Sequence, residues 1–185
     1  MFILASKSPQ RKEILERLGI EFEVIAPDFD ETSVLEKDPV ERAEILAISK
    51  AQSVSRDYPD RWVIGVDTLV VSKCGKLLEK PRDSRDARKM FELQSGKKSA
   101  VHSGLCLMRG DKRHSGVNTS YVVFKKLNSK EIDDWMRSKI WQDRSGGFQV
   151  EGEGEGLFKS IEGEKDSIVG FPVGLFEELR SEIKC

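Results

Sequence analysis

Much is scarce in this 185-residue chain, and each shortage removes a class of protein. No apolar run approaches the ~20 residues a membrane-spanning helix needs, and the first residues, Met-Phe-Ile-Leu-Ala-Ser, lack the basic and long apolar regions of a signal peptide. A soluble, cytoplasmic protein without a membrane partner is expected. There is no basic excess: 31 Lys and Arg face 32 Asp and Glu. A binder of a nucleic-acid polymer would normally carry one. Cysteines are three, Cys74, Cys106 and Cys185, far apart and without a Cys-x-x-Cys, so neither a disulfide framework nor a zinc site is favoured. The two histidines, His102 and His114, lack ligand spacing and read as packed or surface residues. No Walker A sequence is present, and no Ser/His/Asp or Cys/His arrangement is evident.

What remains is enough for one domain spanning 1–185 with a substantial core, 38% hydrophobic and 34% charged. The run Trp62–Val71 (WVIGVDTLVV) is apolar at both phases of a two-residue period, as a strand covered on both faces should be. Asp67 and Thr68 interrupt it. A buried, unpaired carboxylate is costly, so Asp67 either caps a nearby backbone amide or is a functional carboxylate meeting a cation.

Upstream, the strand Phe2–Ala5 leads through Ser6-Lys7-Ser8 to a helix that starts with Ser8 as N-cap and Pro9 at its first position and ends at Gly19. Hydroxyls and three cations, Lys7, Arg11 and Lys12, gather at the helix N-terminus. Cations there oppose the helix dipole, whereas a bound phosphate would be favoured. The junction is either a phosphate site or an ordinary capped helix with a solvated basic turn. After the strand 22–26 come Asp28, Asp30 and Glu31, hard oxygen ligands suited to Mg²⁺ or Mn²⁺, or simply a solvated acidic loop.

Asp38-Pro39-Val40-Glu41 predicts a helix to about Arg56. At 100° per residue, Lys50 falls inside its apolar stripe of Ala43, Leu46, Ala47, Ala51 and Val54. It must snorkel outward or meet an anion. Lys73–Lys76 reads as a hairpin turn, which returns Leu77-Leu78-Glu79 and then Lys80 beside the strand of Asp67. Asp83 caps the next helix. Val101, Ser103, Leu105 and Leu107 alternate, as do Val117, Thr119, Tyr121 and Val123, so a long antiparallel pair is expected around Gly110-Asp111. Asn128 with Glu131 starts another helix. The stretch 143–152 is rich in Gly and reads as flexible, able to let a backbone approach a ligand closely. A strand at 157–161 and a last helix after Gly170-Phe171-Pro172 complete an α/β chain with a mixed sheet.

These pieces suit one chemistry: cations to hold a polyphosphate, carboxylates to hold a divalent metal, and a carboxylate to activate water for attack on phosphorus. The motifs also resemble the Maf family of nucleotide pyrophosphatases. The matching stretches are Leu4–Leu15, Asp30-Glu31, Ala47–Ala51, Ile64–Val70 with Glu79-Lys80-Pro81, the Gly-rich segment, and Val169–Pro172. The resemblance implies a two-lobed α/β body around a curved mixed sheet, related to inosine-triphosphatase-like enzymes, and hydrolysis of nucleoside triphosphates to monophosphate and pyrophosphate with Mg or Mn. It implies Asp67 as proton acceptor, Glu31 and Asp67 as metal ligands, Arg11, Lys50 and Lys80 as phosphate-facing cations, and Ser6 and Ser8 in the N-terminal loop. It also allows a homodimer. Three positions track the base in that family. Gln10 matches neither known class, Thr68 matches the dTTP/UTP class and Glu151 the 7-methyl-GTP class, so the base stays open. Two alternatives stand beside this reading: a non-catalytic nucleotide-binding regulator of cell division, and a purine-directed triphosphatase for deaminated bases.

Overall fold

The structure is a computed structural model, and it describes residues 1–183; Cys185 lies outside them. Seven strands form one mixed sheet: β1 (Phe2–Ala5), β2 (Phe22–Val24), β3 (Val63–Val71), β4 (Leu77–Leu78), β5 (Lys98–Arg109), β6 (Lys112–Phe124) and β7 (Phe158–Glu162). Their order is β2-β1-β3-β5-β6-β7, with β4 paired to β3. β1 runs parallel to β2 and β3, whereas β3–β4 and β6–β7 are antiparallel. The helices are α1 (Pro9–Arg17), α2 (Pro39–Ser55), α3 (Ser84–Gln94), α4 (Ser129–Ser138), α5 (Lys165–Val169) and α6 (Val173–Glu182). The mixed α/β class expected from the sequence is what the chain forms.

The helix starts follow local chemistry. Ser8, Asp38, Asp83 and Asn128 each cap a helix by accepting from a backbone N–H of its first turn, and Asn128 with Glu131 closes a reciprocal capping box. β2 is shorter than expected, ending at Val24, and Leu157 belongs to a 3-10 segment ahead of β7. α5 was not foreseen; it is a single short turn of helix with no strong apolar period.

The chain divides into two compact units. The first comprises Met1–Thr68, Ser103–Asn118 and the segment from Val169 onward; the second comprises Leu69–His102 and Thr119–Ile168. In the first unit the period of two sorts β3 cleanly. Ile64 and Val66 pack with Leu4, Leu105 and Leu107 against Ile14 and Leu15 of α1 and Phe176 and Leu179 of α6. Val63 packs on the other face with Ile3, Ala5 and Cys106 against Ala47, Ala51 and Val54 of α2. Helix α2 lies almost flush on this second face. A Cβ on Gly65 would stand 2.1 Å from the carbonyl oxygen of Ala47, and one on Gly104 would stand 2.2 Å from that of Ala43. Only glycine permits that approach.

The second unit has an aromatic core. Phe124 makes ring contacts with Phe91, Phe148 and Phe158, and Phe91 also meets Trp135. The Gly-rich segment is anchored here. Gly146 and Gly147 are buried, with their carbonyls accepting from Gln94 Nε2 at 2.9 Å and Trp135 Nε1 at 3.0 Å. The expectation of a flexible loop therefore does not describe these two glycines. Their positive φ values are used to turn the chain against the core, and both carbonyls are satisfied.

Candidate active site

Asp67 and Thr68 are neighbours on β3, so their side chains leave on opposite faces. Each meets a cation delivered by the helix that covers its face.

On the α2 face, Asp67 is 6% exposed and Lys50 is 8% exposed. Lys50 Nζ donates to Asp67 Oδ1 at 2.6 Å and stands 2.8 Å from Glu31 Oε1. Gly65 makes this pairing possible: it shares Asp67's face and lets α2 settle close enough for Lys50, three residues after Ala47, to reach the carboxylate. Of the two fates open to Lys50, meeting an anion is the one observed. Glu31 arrives from a different direction. Asp30 Oδ1 accepts from Thr32 N at 2.9 Å and Thr32 Oγ1 at 2.7 Å, capping a 3-10 turn that begins at Glu31. Those bonds, the hydroxyl first, hold the Asp30 carboxyl below its ordinary value. Asp30 is thus a cap, and Glu31 is the member of the acidic cluster that reaches Lys50. Asp28 is exposed.

On the α1 face, Arg11 is the one cation of its helix start that turns inward; Lys7 and Lys12 are exposed, and Lys12 pairs with Glu16. Arg11 Nε donates to the Gly170 carbonyl at 2.9 Å, Nη1 to Ser6 Oγ at 3.0 Å, and Nη2 to Thr68 Oγ1 at 3.5 Å. Burial lowers the Arg11 pKa from its ordinary value, while the Asp67 and Glu31 charges raise it. The two faces are therefore electrically in touch. Ser6 Oγ also accepts from Ser8 N at 3.2 Å, and Ser8 Oγ donates to Gln10 Oε1 at 2.9 Å.

The first unit thus brings together Ser6, Ser8, Gln10, Arg11, Glu31, Lys50, Asp67 and Thr68. Lys80 and Glu151 belong to the second unit, where both are exposed. Sequence reasoning missed two participants, the Gly170 carbonyl and Ser103, whose Oγ lies 3.1 Å from Thr68 Oγ1. Ser103 carried a signal: it is the polar member of the alternation Ser103, Leu105, Leu107, on the face otherwise given to core. His102 and His114 bond to Thr119 and Glu182, in keeping with packed and surface roles.

Two carboxylates of the site could serve a divalent cation. Asp67 Oδ2 is buried and lacks a hydrogen-bond partner, and Glu31, 56% exposed at its side chain, offers a second carboxylate. Among the described residues no cluster of three or more His, Cys, Asp or Glu forms. Two carboxylates are a donor set that Mg²⁺ or Mn²⁺ can take, since such ions often bind one or two carboxylates and complete their shell with phosphates and water.

The chain is 38% identical over 173 residues to a protein of Pyrococcus furiosus named dTTP/UTP pyrophosphatase, covering 92% of this chain and 89% of that one. It is 39% identical over 173 residues to a Deinococcus radiodurans protein of the same name, covering 94% and 88%. Among solved structures, the Staphylococcus aureus Ham1 protein is similar at 13% identity and a TM-score of 0.47, over 68% of this chain and 72% of that one. The model of the family described as Maf-like protein matches residues 1–183, and the chain belongs to that family.

Proposed function

We propose that this protein is a nucleoside triphosphate pyrophosphatase that cleaves the α–β anhydride of dTTP or UTP, releasing the monophosphate and pyrophosphate. The observation that carries the reading is Asp67, a carboxylate inside an apolar strand with one oxygen on Lys50 and the other without a partner. Such an oxygen is suited to a metal or to the proton of an attacking water, and its burial is hard to explain for a purely structural residue.

Each residue then has a task. Asp67 accepts the proton of the water that attacks phosphorus. Lys50 holds Asp67 in place and balances its charge. Arg11 is anchored through three N–H groups to neutral oxygens, which leaves two N–H groups for phosphate oxygens. Ser6 and Ser8 keep the loop ahead of α1 in the shape that presents Arg11. Glu31 and Asp67 would hold Mg²⁺ or Mn²⁺, which when bound neutralises phosphate charge as it develops in the transition state. The relatives named dTTP/UTP pyrophosphatase, together with Thr68, favour a pyrimidine base; Gln10 and Glu151 are the other positions assigned to base recognition.

The test is a panel of nucleoside triphosphates, including UTP, dTTP, ITP and 7-methyl-GTP, with Mg²⁺ or Mn²⁺. Pyrophosphate should appear from UTP and dTTP, cease on chelation and return with added metal. Orthophosphate in its place, or turnover confined to ITP, would refute the assignment. Asp67→Asn should lose at least about a hundredfold in kcat, as removal of a general base does, while remaining folded; full activity would remove Asp67 from the chemistry.

A further inference from the structure

A threonine hydroxyl has one proton and two lone pairs. At Thr68, Arg11 Nη2 can only donate, so it takes a lone pair of Oγ1. The other neighbour is Ser103 Oγ at 3.1 Å. Ser103 is fully buried on β5, on the face where Leu105 and Leu107 line the core, and its hydroxyl lies within hydrogen-bond reach of Thr68. A guanidinium donating to Oγ1 polarises the Thr68 O–H and makes it a better donor. The favoured direction therefore runs from Arg11 through Thr68 to Ser103. Gly170 and Ser6 fix two edges of the Arg11 guanidinium, and Thr68 fixes the third.

We propose that Ser103 is a positioning residue of the active site: it orients the Thr68 hydroxyl and, through it, the free N–H groups of Arg11. Ser103 does not touch substrate in this scheme. Its effect passes through Thr68. This role rests on the pyrophosphatase reading and adds to it Ser103, a residue that reading does not use.

A double-mutant cycle reads the role directly. The four proteins are the natural chain, Ser103→Ala, Thr68→Val and the double variant. Ser103→Ala should lower kcat/KM by about threefold to tenfold, the value of one hydrogen bond, mainly through KM. In the Thr68→Val background the same substitution should change kcat/KM less than about twofold, because the hydroxyl it acts through is gone. Equal losses in both backgrounds, or no loss in the first, overturn the proposal, since a purely structural role would be additive. Thermal melting is followed in all four; if Ser103→Ala does not fold, Ser103→Cys, close in size with only a weak donor, takes its place. Calorimetric binding of a non-hydrolysable UTP analogue repeats the cycle without turnover. An inactive chain that binds the analogue with coupled effects sinks the pyrophosphatase reading and keeps the Ser103 role. A chain that turns over with additive effects does the reverse, and one that neither binds nor turns over loses both.

Discussion

Replacing Lys50 by Met should cost more stability than any conservative change at its partners, and the structure says how much. The Lys50 and Asp67 side chains are 10% and 8% exposed and are joined at 2.6 Å. Taking one member from a buried ion pair typically costs about 3–5 kcal/mol, because the survivor stays buried and uncompensated. Asp67 is poorly placed to adapt, since its second oxygen already lacks a partner. Glu31 is more than half exposed and loses little when Lys50 goes. Asp67→Asn is the gentler change. Its carbonyl still accepts from Lys50, and the ammonium keeps Glu31 at 2.8 Å, so about 1 kcal/mol is expected. The double variant Lys50→Met, Asp67→Asn removes both charges and should recover part of the loss. Urea unfolding at neutral pH, followed by circular dichroism, measures all three against a typical total of about 5–15 kcal/mol. A loss below about 1 kcal/mol for Lys50→Met would show that the pair is solvated in solution, and the argument for a buried, poised Asp67 would fail with it.

Other outcomes follow from close packing and from the thiols. Gly65→Ala and Gly104→Ala each push a methyl into an α2 carbonyl, so each should destabilise by about 3 kcal/mol or more, the upper end of overpacking. Gly65→Ala should also lower turnover by lifting Lys50 away from Asp67. Gly156→Ala, where a Cβ meets open space, is the control and should stay within about 1 kcal/mol. In a Cys185→Ser background, Cys74 should react with a disulfide reagent in the folded protein, because it is exposed and its thiol pKa is lowered, first by the Ser72 hydroxyl. Cys106 should react only on unfolding, since burial pushes its thiol up to about 12. Between an unfolded value near 9 and 12 the unfolded chain gives up that proton first, so this group's contribution to stability is intact below pH 9 and is lost as pH rises through the window. Two fast thiols in the folded Cys185→Ser protein would contradict the burial of Cys106.

How much of this was legible in the sequence depends on how local the physics is. The caps at Ser8, Asp38, Asp83 and Asn128 need only their own first turns, and all four were readable. Asp67 announced itself because a charge inside an apolar strand needs a reason. Lys50 could be placed in the apolar stripe of α2 by angle alone. What the helix could not reveal was the identity of the anion opposite, since that depends on which face of β3 it covers. The close approach at Gly65 and Gly104 was hidden for the same reason: a glycine in a strand looks like any other until a helix backbone lies on it. Ser103 and the Gly170 carbonyl were harder still. One is a small hydroxyl whose single mark is its place in the alternation Ser103, Leu105, Leu107, and the other is a main-chain atom that no side-chain pattern reveals.

The two cations of the site are held in different ways, and this separates their roles. Lys50 has two carboxylates within 3 Å, so its charge is already spent. Arg11 has three neutral acceptors, so its charge meets Asp67 and Glu31 only at longer range. An arriving triphosphate gains most from the cation that is not yet neutralised, and a guanidinium with two unused N–H groups can grip it in a fixed plane. Arg11 should therefore govern affinity, while Lys50, bound to the proposed base Asp67, should govern the chemical step. Arg11→Ala should raise KM by about tenfold or more, as loss of a charge-assisted hydrogen bond does, with a smaller change in kcat. Lys50→Met, assayed where it remains folded, should lower kcat and leave KM nearly unchanged. The reverse pattern, with Lys50 setting KM and Arg11 setting kcat, would mean that the phosphates displace Lys50 from its carboxylates on binding, and that the charge balance of the free protein is not the one in which the reaction occurs.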